Sequence, residues 1–419
     1  MSSSLAPALP GIQDPHGLRR QLARAERLRK LRAFSLTLPL LLFLLLTFLV
    51  PIATLLKRAV ENPEVANALP HTVVALQDWN REGVPEADAF AAIAKDLASL
   101  SDSSDAGALA RRLNSEAPGA RSLVMGTFKA LPLEDAATPA AMKTRLLALD
   151  ERWGETTYWR AIAKNASRWT PDYLLTSVDL RRDAHGAIER AEPELRVFGR
   201  ILLRTFEISA VVTLWALLLG YPLAYWLSTL PARRANVLMI LVLVPFWTSI
   251  LVRVAAWIVL LQSEGLVNHA LIGMHLIEAP LALLFNRTGV VIAMVHILLP
   301  FMILPLYSVM KSVPPTYLRA AISLGSSPLA AFFRVYVPQT YPGVGAGALL
   351  VFILSIGYYV TPALLGGADD QMLSYYIAQY TNVTVNWGMA CALGALLLAA
   401  TLVLYAMYRR VTKSELSLG

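Results

Sequence analysis

Apolar residues gather in six long runs along this chain, and each run is long enough to cross a lipid bilayer. A transmembrane helix needs about 20 predominantly apolar residues, because every backbone amide in the hydrocarbon must be paired inside its own helix. The runs occupy residues 34–56, 208–230, 237–261, 288–307, 344–365 and 388–408. The pattern predicts an all-α integral membrane protein with about six transmembrane helices.

A polar segment, residues 57–197, separates the first two runs and is called the insertion below. Residues 86–100 have apolar positions at helical spacing, and Thr138 followed by Pro139 is a typical helix start. A third helix is expected from the spacing of Tyr158, Ile162 and Trp169. About 140 residues can hold a small core of their own, and the charges are scattered in both signs. We therefore expect a mostly helical, solvated cap rather than an enzyme domain.

The composition agrees with a membrane protein, since 56% of the residues are hydrophobic and only 16% are charged. The first run is expected to be a retained anchor, because it is long and is followed by Lys57 and Arg58 without a small-residue cleavage site. The single cysteine, Cys391, lies in the last run. The chain by itself is therefore expected to form neither a disulfide framework nor a thiolate metal site.

Basic residues accumulate on one side of the predicted membrane. They are dense in the tail of residues 1–33, recur in the short loops after the second and fourth runs, and return in the tail of residues 409–419. Because loops rich in Lys and Arg stay in the cytoplasm, both termini are expected there, in the plasma (inner) membrane of a bacterium or archaeon. The insertion then lies outside the cytoplasm. The net charge of +8 follows from this topology rather than from nucleic-acid binding.

The stretch YLRAAISLGSSPLAAFFRVYVPQTYPG, residues 317–343, interrupts the apolar pattern. Pro315 predicts a helix start, Gly325 a break, and Pro328 the start of a second short helix after a serine cap. Both helices are too short to span the membrane and are expected along its cytoplasmic boundary. Two interpretations stay open on physical grounds, namely that Arg319 and Arg334 meet anionic lipid or that the stretch docks on a protein.

The spacing in this stretch resembles the signature of binding-protein-dependent ABC transporter permeases. Ala320 and Ala321 precede Gly325 at the expected offset, and the pair Val335 and Val337 precedes proline. The resemblance implies a coupling loop, residues 311–342, that docks on an ATPase subunit. The residues that it implicates are Arg319, Ala320, Ala321, Gly325, Ser326, Val335, Val337 and Pro338. Arg319 stands where the family usually has glutamate, so an ion pair of that glutamate is absent or inverted.

Further motifs resemble the polyamine branch, the spermidine and putrescine permeases. They are VPFWT at 244–248, LVR at 251–253, GLVN at 265–268, LLPF at 298–301, PLY at 305–307 and LGG at 365–367. The resemblance covers residues 198–408 and implies a five-span core. It also implies a type I importer built from two similar permeases, a pair of ATP-binding subunits and an extracytoplasmic substrate-binding protein. The implied cargo is a polyamine or a similar amine or amino-acid-like compound.

No phosphate-binding G-x-x-x-x-G-K-[ST] motif and no H-E-x-x-H occurs in the sequence, so the chain is expected to be no enzyme and to leave ATP to a partner. No cofactor or metal is expected. Two other classes of membrane protein are the alternatives. An ion-driven secondary transporter usually shows repeat symmetry and intramembrane carboxylates, and a membrane receptor requires a large cytoplasmic output domain. The sequence offers neither set of features.

Candidates for the substrate path are the residues Trp247, Thr248, Arg253, Trp257, Tyr358, Tyr359 and Asp369. The aromatic rings offer faces to an amine, although rings also pack cores. A charge inside a span must face protein or water, and for Arg253 a carbonyl, Asp369 or Asp370 is the expected partner. Glu207 is expected to pair with Arg204.

Overall fold

The computed structural model describes residues 15–132, 138–183 and 187–416 of the 419-residue chain. Residues 1–14 and 417–419 of the two predicted tails lie outside this range. The chain divides into two compact units, Met1–Lys57 and Arg58–Gly419. The described part of the first unit is helical, with α1 at Pro15–Leu44 and a π-helical turn at Leu45–Leu49 that leads into α2 at Val50–Arg58, whose last residue begins the second unit.

The insertion is a bundle of short helices closed by a small β-hairpin. Its helices are α3 Pro63–Ala68, α4 Pro70–Ala75, α5 Ala87–Ser99, α6 Ser103–Asn114, α7 Ala120–Ala130, α8 Pro139–Leu149, α9 Thr156–Lys164 and α10 Asp172–Ser177. Strands β1, Leu180–Arg182, and β2, Ile188–Arg190, pair antiparallel. Thr138 caps α8 as predicted, accepting a hydrogen bond from the Ala141 N–H at 3.2 Å. Trp169 lies beyond the end of α9, so its expected place in the third helix is wrong.

Helices of 4 to 32 residues make up most of the rest of the second unit. They are α11 Phe198–Thr229, α12 Ala232–Leu243, α13 Ile250–Leu261, α14 Leu266–Gly273, α15 Arg287–Ser312, α16 Pro315–Ser323, α17 Pro328–Ala331, α18 Val337–Gly357, α19 Val360–Leu365, α20 Leu373–Asn382 and α21 Trp387–Leu416. Six helical stretches of the described residues are long and apolar enough to span a membrane: Phe34–Arg58, Pro193–Thr229, Ile250–Gly273, Arg287–Ser312, Pro328–Gly357 and Trp387–Arg410. The predicted all-α membrane fold is confirmed.

Two predicted spans are interrupted. The run 237–261 breaks at a tight 3-10 turn, Val244–Trp247, after which the Ser249 hydroxyl accepts the Leu251 N–H and starts α13. The run 344–365 breaks after Gly357 and resumes at Val360. Each break lies close to a proline, Pro245 or Pro362, which has no N–H to offer the carbonyl four residues earlier. Continuous apolar runs therefore do not guarantee continuous helices.

The prediction of a separate second short helix after Gly325 is wrong. Residues Pro328 to Gly357 form one uninterrupted helical path, because α17 passes through a π-helical turn, Phe332–Tyr336, directly into α18. In that turn the Val337 N–H bonds to the Phe332 carbonyl, five residues back. A wider turn accommodates the following Pro338, which lacks a donor of its own. The fifth span thus begins at the break that follows α16.

Candidate functional site

Between α15 and α18 the chain reverses direction through α16, α17 and the π-helical turn. We call these residues, 315–336, the elbow. At the end of α16, Gly325 adopts a left-handed φ of 95°. Its N–H bonds to the Ile322 carbonyl at 3.0 Å, and the Ser326 N–H bonds to the Ala321 carbonyl at 3.1 Å. This is a Schellman motif, which satisfies the free carbonyls of the helix end and favours glycine. The Ser327 hydroxyl then caps α17.

The exposed face of the elbow is apolar and cationic. Leu324 is 88% exposed, and Arg319 and Arg334 are exposed as well. Further large apolar side chains at the surface are Tyr317, Ile322, Leu329 and Phe333. Residues 298–342 contain no aspartate or glutamate. An exposed apolar patch of this kind marks a surface that contacts another molecule.

The predicted coupling residues do not all share that exposed face. Ala320, Gly325, Ser326 and Pro338 are exposed. The half-buried members of the set are Ala321, Val335 and Val337. The two valines therefore lie where the elbow runs into α18 and not on its exposed face.

Aromatic packing joins the C-terminal end of the elbow to α11. Tyr336 is buried and stacks on Phe332 with ring centroids 5.5 Å apart. Tyr225 of α11 meets both rings edge-on, at 5.1 Å from Phe332 and 5.2 Å from Tyr336. Nearby, the Lys311 ammonium donates to the carbonyls of Ser228 and Leu230 and so satisfies the C-terminal end of α11. These contacts pack the C-terminal end of the elbow directly against α11.

The two helix breaks gather four of the predicted path residues. Trp247 and Thr248 lie in the first break, and Tyr358 and Tyr359 lie in the second. Trp247 is 77% exposed, whereas Tyr358 packs against the apolar core of the membrane helices. The helices that follow the breaks, α13 and α19, contact each other. Non-helical backbone at membrane depth is tolerated only inside protein or beside a water-filled cavity, so the breaks are candidate path walls.

Arg253 lies one turn into α13, and its Nε is buried without a hydrogen-bond partner among the described residues. The expected pairing with Asp370 is absent, because that carboxylate lies 3.3 Å from the Nε of Arg287 and also accepts the Gly367 N–H at 3.2 Å. The carbonyl of Asp369 accepts a hydrogen bond from Arg204. A buried guanidinium nitrogen without a partner is costly, which makes Arg253 a candidate contact for another molecule.

Arg287 is a junction that the sequence did not reveal. Its Nη1 lies 3.7 Å from Oε2 of Glu207 on α11, in addition to its bond with Asp370. The expected pair of Glu207 with Arg204 is therefore wrong. Asn286 caps α15 by accepting the Gly289 N–H, and Arg287 follows it directly. A basic residue in that position is only a weak sequence signal for ion pairs with distant carboxylates. The contact ties α11, α15 and the segment after α19 together.

An apolar groove of about 650 Å³ runs between α11, α13 and α15. Trp257, one of the predicted path residues, lies in its wall and donates from Nε1 to Nδ1 of His296 at 3.2 Å. Trp215 and Leu299 line the groove as well. Within the described ranges, no group of three His, Cys, Asp or Glu side chains is arranged to hold a metal ion.

Comparisons with known proteins place this architecture among transport systems. Residues 216–415 match the family described as "binding-protein-dependent transport system inner membrane component". The spermidine/putrescine transport system permease protein PotB of Escherichia coli (strain K12) is 34% identical over 218 residues, which cover 52% of this chain and 79% of that protein. PotB of Haemophilus influenzae is 36% identical over 215 residues, covering 51% of this chain and 75% of that protein.

Two further matches have lower identity. The molybdenum transport system permease protein ModB of Mycobacterium bovis is 28% identical over 208 residues, covering 48% of this chain and 76% of that protein. Among solved structures, a chain from a bacterial alginate ABC transporter in complex with an alginate pentasaccharide-bound periplasmic protein matches with a TM-score of 0.43 and 17% identity. That match covers 52% of this chain and 80% of the other.

Proposed function

The chain belongs to the permeases of binding-protein-dependent ABC importers, in the polyamine branch, and on that premise we propose that the elbow receives the force of a separate ATPase. It is a multi-pass inner-membrane transport protein rather than an enzyme, and it works with an ATPase and a substrate-binding protein. The ion-driven transporter and the receptor are thereby set aside. The observation that carries the proposal is the apolar, cationic face of the elbow, on which Leu324 is almost fully exposed.

The attachment of the elbow supports a mechanical role. When two ATPase subunits close on ATP, a short helix held in their surface moves as a rigid body. The aromatic contacts at Tyr225 then pass this displacement to α11. Packed helices switch between discrete arrangements instead of bending continuously, so a small movement at the elbow opens or closes the path. A second, similar permease supplies the other half of that path.

The proposed topology puts the elbow and both termini in the cytoplasm and the insertion outside it. The proposed organisation is a basic tail at 1–33, a first span at 34–56, the insertion at 57–197, a five-span core at 198–408 with its coupling loop at 311–342, and a short tail at 409–419. The concentration of Lys and Arg in the tails and in the elbow supports this orientation.

The proposed cargo is a polyamine or a related small amine. The identity with PotB supports this choice, and the exposed rings of Trp247 and Tyr359 beside the two breaks offer cation–π contacts. Arg253 repels a cationic cargo, so the amine groups are expected to pass on the aromatic side of the breaks. Any ATP is bound by the partner subunits.

The proposal is tested in proteoliposomes that hold the complete transporter, with the variants Gly325→Trp and Gly325→Asn. At a φ of 95° an indole side chain strains the Schellman turn, whereas asparagine tolerates the left-handed region. We expect Gly325→Trp to insert normally but to lose at least about tenfold in ATP-dependent uptake, equivalent to about 1.4 kcal/mol. Gly325→Asn should retain uptake. Normal uptake by Gly325→Trp contradicts the coupling role of the elbow.

The cargo is tested separately in the same vesicles. Labelled spermidine should accumulate only when ATP, the ATPase and the binding protein are all present. Accumulation of a labelled amino acid in place of spermidine would leave the importer assignment intact and overturn the polyamine assignment.

A further inference from the structure

The insertion contains a polar cavity of about 270 Å³ that takes no part in the proposed transport path. One face of α9 forms a wall, and six ionisable side chains surround the space. Four of them are cationic and two are carboxylates: Arg81, Arg160, Lys164 and Arg182, with Glu116 and Asp183. We propose that this cavity binds a small dianion, a phosphate or a dicarboxylate.

Ion pairs hold three of these charged groups in place. The Arg182 guanidinium binds the Asp172 carboxylate through Nε at 2.6 Å and Nη2 at 3.0 Å. Lys164 Nζ donates to Oε2 of Glu116 at 2.8 Å, and Arg112 Nη2 donates to Oε1 of the same carboxylate at 3.2 Å. Paired guanidinium and ammonium groups keep fixed positions, so a ligand meets them with little loss of side-chain entropy.

Arg160 supplies a positive charge that pairs with no carboxylate of the described residues. Its Nε donates to the carbonyl of Arg81 at 2.8 Å, and no atom in the described part of the chain bonds to Nη1 or Nη2. A guanidinium with both terminal nitrogens available offers the planar pair of donors that fits a carboxylate or phosphate.

The backbone beneath this contact is strained. Arg81 has a φ of 63°, which a side chain other than glycine or asparagine seldom adopts. The bond from Arg160 to the Arg81 carbonyl helps to hold the loop in that conformation. Strained residues persist where the surroundings over-determine them, and they cluster at binding sites.

Size and charge define the ligand class. The volume is below the roughly 300 Å³ at which pockets for drug-sized ligands begin, so the ligand is small. The excess of two positive charges among the lining residues favours a dianion and repels a polyamine. The ligand is therefore different from the proposed cargo.

A short chain of contacts links this cavity to the last span. Asp172 binds the cavity residue Arg182, and the next residue, Tyr173, packs against Gly388 at the start of α21. A Cβ atom at Gly388 would lie 2.3 Å from the Tyr173 ring, so the contact is close. The Arg112 guanidinium lies 5.0 Å from the centroid of the same ring. Burial raises the pKa of Tyr173 to about 12, because the charged phenolate would lose its hydration there. Occupancy of the cavity is thus positioned to alter the packing of α21.

Binding is measured by calorimetry on the full chain purified in detergent, so the result does not depend on transport. Inorganic phosphate and succinate are the probes, and spermidine is the counter-probe. We expect saturable binding of phosphate or succinate by the native protein and at least tenfold weaker binding by Arg160→Gln. Arg145→Gln, which removes an exposed charge from α8 outside the cavity, should bind like the native protein.

The fluorescence of the insertion tryptophans reports whether Arg160→Gln remains folded, and Arg160→Lys should recover part of the affinity through its charge. Three results overturn the proposal. These are no saturable binding of either probe below about 10 mM, equal loss in Arg145→Gln, or saturable binding of spermidine in place of either anion. Because uptake is not measured, a failed importer assignment leaves this test unaffected.

Discussion

The insertion and the membrane helices bury different kinds of residue. In the insertion the largest side chains lie inside, where Trp159 packs 4.7 Å from Phe90 and 5.3 Å from Trp153, measured between ring centroids. The indole N–H groups of these two tryptophans are paired: Trp159 donates to the Trp153 carbonyl at 2.8 Å, and Trp153 donates to the Thr127 hydroxyl at 3.0 Å. Aromatic bulk with paired polar groups is typical of a core that forms in water.

The membrane helices place many large apolar side chains outside and small residues at their contacts. Leu214, Leu218 and Leu241 are exposed. Where α11, α15 and α18 meet, a Cβ atom at Gly220 would lie 3.1 Å from the Met302 side chain, and one at Gly347 would lie 2.8 Å from its sulfur. The helices approach closely because these positions have no side chain.

The difference reflects the surrounding solvent. In water, removing apolar area from contact with the solvent stabilises the core, so aromatic bulk is an advantage. In lipid, the acyl chains are as apolar as leucine, and helices associate through close van der Waals packing. One chain therefore follows two packing rules, and substitutions of opposite kinds should destabilise its two regions.

Truncation in the insertion core should have the largest effect. Trp159→Ala removes a fully buried indole and leaves a cavity, which should cost about 3–5 kcal/mol. The insertion should then become sensitive to protease while the membrane helices stay resistant. Trp169→Ala is the matched control, since Trp169 is 54% exposed and should be cleaved like the native protein. Equal sensitivity of both variants would show that the insertion has no independent core.

Enlargement at a helix contact should have the next largest effect. Gly347→Val brings a side chain against Met302, including its backbone carbonyl, and should cost about 1–3 kcal/mol through overpacking. The melting temperature of the full chain in detergent should fall. Gly357→Val is the control, because nothing lies within 4 Å of a Cβ at that glycine. If both variants melt alike, close packing of small residues does not hold these helices together.

Loss of the hydrogen bonds by which the insertion residue Asp179 caps the first membrane helix of the core, α11, should have the smallest effect. We call this cap the joint between the two regions. The Asp179 carboxylate accepts from the N–H groups of Val197 and Phe198, both at 3.0 Å, and of Gly199 at 2.8 Å, and so caps α11. Asp179→Ala should cost about 1–2 kcal/mol, detected as faster hydrogen exchange in the first turn of α11. Asp179→Asn keeps an acceptor and tolerates the φ of 60°. Unchanged exchange in Asp179→Ala would mean that the cap does not secure the joint.

Much of the fold follows from local pattern. The number of spans, the cap at Thr138 and the break at Gly325 were all predictable, because the length of an apolar run, a capping side chain and a glycine act on the residues beside them. The interruptions at 244–249 and 358–359 were missed, although prolines stood nearby. Proline is tolerated in membrane helices when neighbours satisfy the freed carbonyls, so its presence does not predict a break.

By itself, the sequence determined that this protein is a bundle of membrane helices with an exposed elbow and a helical insertion. Only the tertiary structure decided the partners of its charges, such as Arg287 with Glu207 and Asp370, and the seating of Tyr173 on Gly388. The physical reason is distance along the chain. Apolar runs and caps act between neighbours in sequence, whereas these contacts join residues that come together only when the helices have packed.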